Sequence, residues 1–166
     1  MRVLAVDPGL LCTGYGVVES NPANPQAGKK IVLLEAGIIK TSPREKLAGR
    51  LKKIHNGLNQ IAGEYQPDVL VLEELYSHYQ HPRTAILMAH ARGISYLVAA
   101  NQGIEVVGYS AKKIKKAIVG SGAAKKLQMQ KVIREMLKLT QMPAPADVAD
   151  ALALALAHIH IASVPI

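Results

Sequence analysis

Three elements of this chain end or begin in acid side chains whose neighbours are almost entirely apolar. Asp7 closes the run Val3 to Val6, and Glu73-Glu74 closes Val69-Leu70-Val71-Leu72. Asp147 and Asp150 stand three apart at the start of an Ala/Leu stretch that continues to His158. At that spacing two helical side chains share a face about 5 to 6 Å apart. Carboxylates gathered together raise one another's pKa unless cations neutralise them. All-oxygen ligation suits a hard ion such as Mg²⁺ or Mn²⁺, and two such ions about 3.5 to 4 Å apart activate a water and stabilise the leaving oxygen in phosphodiester cleavage. Taken singly, each acid has a plainer role. Asp147 at a helix N-terminus contributes about 0.3 to 1 kcal/mol, Asp7 before Pro8-Gly9 suits a turn, and Glu73 or Glu74 suits an exposed strand end. Their joint placement in a chain with only four aspartates, the other being Asp68, points to a metal site. Alternation along the strand leaves open whether Glu73 or Glu74 faces it.

The basic residues are as unevenly spread as the acids. Between Lys112 and Lys138 lie nine Lys and Arg residues against Glu135 alone, and the rest of the chain holds 11 bases and 11 acids. The whole net charge of +8 therefore sits in one segment. Clustered lysines hold nucleic acid by releasing its counterions, and a solvated helix face is the plainer alternative. No large aromatic or leucine face opposes them, which disfavours a membrane surface. A basic surface beside grouped carboxylates reads as a metal-dependent nuclease.

Several elements must place these side chains. Arg2 to Val6 reads as a buried strand, Tyr15 to Val18 as its return across a loop, and Ile31 to Ile39 as a third strand, forming an antiparallel meander. Asn21 to Gly28, with Pro22 and Pro25, reads as a surface turn. Ser42-Pro43-Arg44-Glu45 has the form of an N-cap and capping box opening an amphipathic helix through Leu47, Leu51, Ile54, Leu58 and Ile61, which stops near Gly63. The all-apolar run from Val69 to Leu72 fits a parallel strand covered on both faces. A helix from Arg83 to about Ala100, a short strand from Ile104 to Val107 and a helix capped by Ser110 follow. Gly120-Ser121-Gly122 separates that helix from another bearing Met129, Val132, Ile133 and Met136, and Pro143 and Pro145 precede a last helix from Asp147 to about Ile161. The order implies an α/β domain spanning residues 1 to 166, built round one mixed sheet.

With 166 residues and 49% apolar content the chain suits one globular domain, not a collagen-like, disordered or mini-protein class. The lone Cys12 cannot form an internal disulfide, which fits a reducing, cytoplasmic compartment and excludes a Cys-rich zinc module. Neither of the apolar runs at Val3 and Ala151 has the length of a membrane span. Of the six histidines, His158 and His160 are closest in sequence, and their spacing places them on different helix faces, so they do not build a zinc site.

DPG-x₃-TGYG (Asp7 to Gly16), Glu73 after its strand, KKAIVGSGAAKK (Lys115 to Lys126) and ADVADALALALAH (Ala146 to His158) together resemble the RuvC family of Holliday-junction resolvases, in order and over essentially the full chain. The resemblance implies an RNase H-like fold, a central five-stranded sheet with three antiparallel strands followed by parallel ones, and helices on both faces. It implies a homodimer that uses two Mg²⁺ or Mn²⁺ ions per site to hydrolyse phosphodiester bonds in two opposed strands of four-way junction DNA. The products would carry 5′-phosphate and 3′-hydroxyl ends, and the setting would be homologous recombination and DNA repair. On this resemblance the catalytic and metal-binding carboxylates fall on Asp7, Glu73, Asp147 and Asp150. Phosphate-contacting lysines fall on Lys115 and Lys126, with Lys112, Lys116 and Lys125 beside them, and a junction-inserting aromatic falls on Tyr76. A branch-migration motor complex of the RuvA-RuvB type is the implied partner. A junction's near two-fold symmetry suits a dimer, and the helix from Arg83 to Ala100, with Gly93 and small alanines, is either its interface or a buried scaffold helix.

Three rivals remain at this stage. The Asp7-x-Gly segment with Thr13-Gly14 also suits the phosphate loop of an actin-like ATPase, although such a protein needs two such domains and gives the late Asp pair no role. RNase H shares the carboxylates, and a non-catalytic junction-binding relative shares the fold.

Overall fold

In the computed structural model, residues 1–21, 30–74 and 82–163 are described. Five strands and five helices follow one another as β1 (Arg2–Asp7), β2 (Cys12–Asn21), β3 (Lys30–Lys40), α1 (Leu47–Tyr65), β4 (Val69–Glu73), α2 (Pro82–Gln102), β5 (Glu105–Tyr109), α3 (Ala111–Val119), α4 (Lys126–Met136) and α5 (Ala146–Ile161). The sheet order is β3-β2-β1-β4-β5. β1 to β3 are antiparallel neighbours, whereas β1, β4 and β5 run parallel.

Strands β1 and β4 are apolar throughout because each of their faces has its own core. Val3, Ala5, Val69 and Val71 pack with Ile114, Ile133, Leu152 and Leu156 from α3, α4 and α5. The alternate residues Leu4, Val6, Leu70 and Leu72 pack with Ile54 and Leu58 of α1 and Val98 of α2. Side chains alternate across a strand with period 2, so Asp7 continues the series of Val3 and Ala5, and Glu73 that of Val69 and Val71. Both acids thereby belong to the α5 side of the sheet.

α5 is buried on almost every side, from Val148 to Ile159. It lies against β2 and β1 because β2 offers glycine where the helix comes down. A Cβ on Gly14 would stand 2.1 Å from the Asp147 carbonyl oxygen, and one on Gly16 would stand 2.7 Å from Leu152 Cδ2. Gly14 is also the register partner of Asp7. The two glycines of the TGYG run therefore decide how close the first turn of α5 comes to Asp7.

Several boundaries differ from the sequence expectation. Ser42 does not cap α1; its hydroxyl accepts from the Arg44 N–H at 3.2 Å, its carbonyl accepts from Glu45, and the helix begins after Lys46. A local turn has taken the side-chain acceptor that a cap would have used. α1 also continues past Gly63 to Tyr65, stopping at Gln66 in the left-handed region at φ 44°. β2 starts at Cys12 instead of Tyr15, since pairing with β3 extends to Lys40. Ser110 does cap α3, accepting from Lys113 N–H.

Replacing Gly14 by Ala tests the close approach of α5. A β-carbon placed against backbone cannot be relieved by a rotamer change, so Gly14→Ala should cost roughly 1 to 3 kcal/mol in urea unfolding. Gly63→Ala, at a helical glycine with nothing within 4 Å of an added Cβ, should instead match wild type or exceed it slightly.

Candidate active site

The parallel strands β1 and β4 end side by side, with Val6 paired to Leu72. Asp7 and Glu73 are the next residue of each, at the carboxyl edge where open α/β sheets carry their sites. Asp147 and Asp150 come from the first turns of α5, brought to that edge by Gly14. Asp147 caps nothing: the N-cap position is Pro145, and no side-chain cap bond is made.

The electrostatics register the convergence. Burial pushes the Asp7 carboxyl from 3.8 up to about 7, reinforced by the charges of Asp150, Asp147 and Glu73 and opposed by Lys126. The Glu73 carboxyl is also raised, first by burial and then by Asp150, while Lys115 and Arg92 pull it down. Four carboxylates from β1, β4 and α5 thus feel one another. Glu74 does not join them: it is exposed, its backbone N–H donates to the Tyr109 carbonyl at 2.9 Å, and its side chain runs past Gly108.

Beside the acids is a pocket of about 280 Å³ lined by Glu73, Asp150, Lys115, Lys126 and Gln130 over an apolar floor that includes Ile114 and Met129. Asp7 and Asp147 lie outside that lining, towards β2. Lys126 opens α4 and places its Nζ 2.9 Å from Asp150 Oδ2, so the residue expected on a phosphate is ion-paired to a carboxylate. Lys115 faces the pocket from α3. Lys112, Lys116 and Lys125 are exposed around it, Lys112 packing its stem against Gly122 in the loop between α3 and α4. Tyr76 lies outside the described residues.

Sequence reasoning missed two neighbours of the acids. Burial and the neighbouring Asp147 carboxylate push the Cys12 thiol up; only its place five residues after Asp7 hinted at this. Arg92 reaches from α2 to the Glu73 carbonyl oxygen, and being one arginine in a long helix it gave no signal.

As they stand, no three His, Cys, Asp or Glu side chains among the described residues close round a common metal position. The donor chemistry nonetheless fits a hard divalent ion. Every acid of the cluster offers carboxylate oxygen, burial and neighbouring carboxylates disfavour charge on Asp7 and Glu73, and an ammonium group already rests on Asp150. His158 plays no part, being buried with Nδ1 2.9 Å from the Tyr109 hydroxyl.

A five-stranded 3-2-1-4-5 sheet with acids at the ends of β1 and β4 and on the last helix defines an RNase H-like nuclease fold. The family model described as "Crossover junction endodeoxyribonuclease RuvC" matches residues 3–158. Relatives of that description from Rhodopirellula baltica and Alkaliphilus metalliredigens are 43% identical over 99% of this chain and 89% of the relative, and 41% identical over 96% and 93%. The solved structure of Thermus thermophilus RuvC in complex with Holliday junction substrate superposes with a TM-score of 0.90 at 32% identity, covering 98% of this chain and 94% of that one. The chain belongs to the RuvC family of crossover junction endodeoxyribonucleases.

The raised Asp7 carboxyl has a consequence for stability. Its folded pKa of about 7 exceeds its ordinary 3.8, so it favours the folded state at low pH. That contribution is lost as pH rises from about 4 through 7. In metal-free buffer, Asp7→Asn should therefore be more stable than wild type by roughly 1 to 3 kcal/mol at pH 8, and the gap should vanish near pH 4. Urea unfolding of the two proteins across that range checks it.

Proposed function

We propose that this chain is a Holliday-junction resolvase, a homodimer that cuts two opposed strands of four-way DNA. The observation that carries the reading is the convergence of Asp7 and Glu73, at the ends of paired β1 and β4, with Asp147 and Asp150 of α5 beside a pocket walled by Lys115 and Lys126. The four acids are the catalytic residues and would hold two Mg²⁺ or Mn²⁺ ions. Ions bound there supply an activated water and neutralise charge at the leaving oxygen. Lys115 and the exposed Lys112, Lys116 and Lys125 hold backbone phosphates next to the acids. Lys126, paired with Asp150 in the free protein, keeps the cleft closer to neutral there and would be released to a phosphate if that carboxylate held a metal ion. Hydrolysis leaves 5′-phosphate and 3′-hydroxyl ends.

The dimer is supported by α2, which exposes Ile86 at 58% and Leu97 at 49% of their surface and, with Leu51, Ala89 and Ile94, lines an apolar hollow. Large apolar side chains grouped on one face mark a contact surface. A dimer also supplies two copies of one site to a nearly two-fold substrate. Insertion of Tyr76 at the junction and service with a RuvA-RuvB type motor rest on the family resemblance. Action in the cytoplasm on recombination and repair intermediates, by a single domain of residues 1–166, completes the reading. Among the described residues no helix is long and apolar enough to cross a membrane.

A labelled synthetic four-way junction, resolved on a denaturing gel with and without Mg²⁺, tests the proposal. Wild type should give paired symmetric nicks only with metal. Asp7→Asn and Glu73→Gln should bind the junction and lose on the order of 10³-fold or more in cleavage rate. Lys115→Ala should weaken binding and reduce the slope of log affinity against log salt by about 1. Equal cutting of linear duplex would leave the nuclease class standing and remove the junction assignment.

A further inference from the structure

We propose that Arg92, reaching across from α2, is a positioning residue for Glu73. The inference deepens the nuclease reading above and rests on it.

Glu73 is the last residue of β4. On the β5 side its backbone is in register with Tyr109, whose carbonyl accepts from the Glu74 N–H at 2.9 Å. The Arg92 guanidinium adds a side-chain hold on the same peptide, donating through Nη1 to the Glu73 carbonyl oxygen. Its second terminal nitrogen donates to the Tyr96 hydroxyl at 3.0 Å, and its central carbon lies 5.3 Å from the centre of the Tyr96 ring. Arg92 and Tyr96 are one helical turn apart and so share a face of α2. The guanidinium is thereby gripped at both ends, by a hydrogen bond and by a ring. Gly108 on β5 borders the same space: a Cβ there would lie 3.9 Å from Arg92 Nη2 and 3.2 Å from Glu74 Cγ.

The direction of approach gives the contact its meaning. The other cations near Glu73 belong to α3 and α4, on the α5 side of the sheet. Arg92 belongs to the helix packed on the opposite face, whose Ala91, Val98 and Ala99 join the core with α1. It grips the backbone of Glu73 from behind, leaves both carboxylate oxygens to the cleft, and adds a positive charge that opposes Asp150 at that carboxylate. Tyr96, 44% exposed, sits on α2 with Leu97 and Ile86. Residues that orient a metal ligand without touching the metal typically matter by about 10- to 100-fold in affinity or rate.

The test compares wild type with Arg92→Ala, Arg92→Lys and Tyr96→Phe in three measurements: Mn²⁺ binding to DNA-free protein by electron paramagnetic resonance, junction affinity by gel shift in EDTA, and single-turnover cleavage at saturating protein. Arg92→Ala should lose about 10-fold in Mn²⁺ affinity and about 10- to 100-fold in cleavage rate, with junction affinity within about twofold of wild type. Arg92→Lys should recover part of both losses, and Tyr96→Phe should show a smaller loss of the same kind, about two- to fivefold. If Arg92→Ala fails to fold by circular dichroism, the same pattern in Arg92→Lys and Tyr96→Phe decides the matter. Unchanged Mn²⁺ affinity and rate in the folded variants overturn the proposal, and so does a loss confined to junction affinity, which would make Arg92 a DNA contact. A wild type that leaves junctions intact defeats the resolvase reading itself, whereas a wild type that cuts beside an equally active Arg92→Ala defeats only the role of Arg92.

Discussion

Like-charge repulsion among carboxylates is the constraint on which this molecule turns. Asp7 is held partly out of water within reach of three other acids, and its carboxyl rises to about 7 as a result. Left to itself such a group of side chains would drift apart or unfold its surroundings, since moving a carboxyl by each pKa unit costs about 1.4 kcal/mol. It stays because the backbone that carries it has no freedom to yield. β1 and β4 lie at the centre of the sheet, apolar on both faces, and α5 is buried along nearly its full length. The rest of the chain supplies a rigid frame for a local arrangement that opposes folding.

That frame depends on very small things. The first turn of α5 reaches Asp7 only because Gly14 has no side chain, and the next turn settles on β2 because Gly16 has none. Proximity of the acids is therefore decided by two hydrogen atoms on β2 as much as by the acids themselves. Basic residues answer the charge from α3 and α4, where Lys115 faces Glu73 and Lys126 pairs with Asp150. An exposed pair of this kind is worth little to stability. Its significance is that it is easily traded for another partner of either charge.

Much of this arrangement could be read from the chain, and what could not has identifiable causes. The element order, the mixed sheet and the confinement of charge to 112–138 follow from apolar runs and breakers, which are local signals. The choice between Glu73 and Glu74 could not be made from β4 alone, because a strand buried on both faces has no alternation to read. It is settled by the shared parity of Asp7 and Glu73 once the parallel pairing of β1 with β4 is known. The start of α1 was misplaced because Ser42 spends its hydroxyl on a turn at Arg44, a competition that sequence pattern does not resolve. Arg92 was invisible for a different reason: its partner is a backbone oxygen on the far side of a strand, and backbone acceptors leave no trace in composition.

The two faces of the sheet then divide the labour. On the α5 face are the acids, the pocket and the lysine-bearing helices. On the α1 and α2 face is an apolar core capped by a helix whose outer side remains uncovered at Ile86, Tyr96 and Leu97. A sheet packed tightly on both sides transmits little through its interior, because close-packed cores do not deform gradually. A contact from the α2 side to the acidic cleft must therefore pass round an edge. β5 is the last strand of the sheet, and beside it the chain leaves β4 at Glu73 and Glu74. The one arginine whose contacts connect α2 to Glu73 lies there, where a side chain from behind can grip the peptide of a ligand without entering the space that the ligand needs.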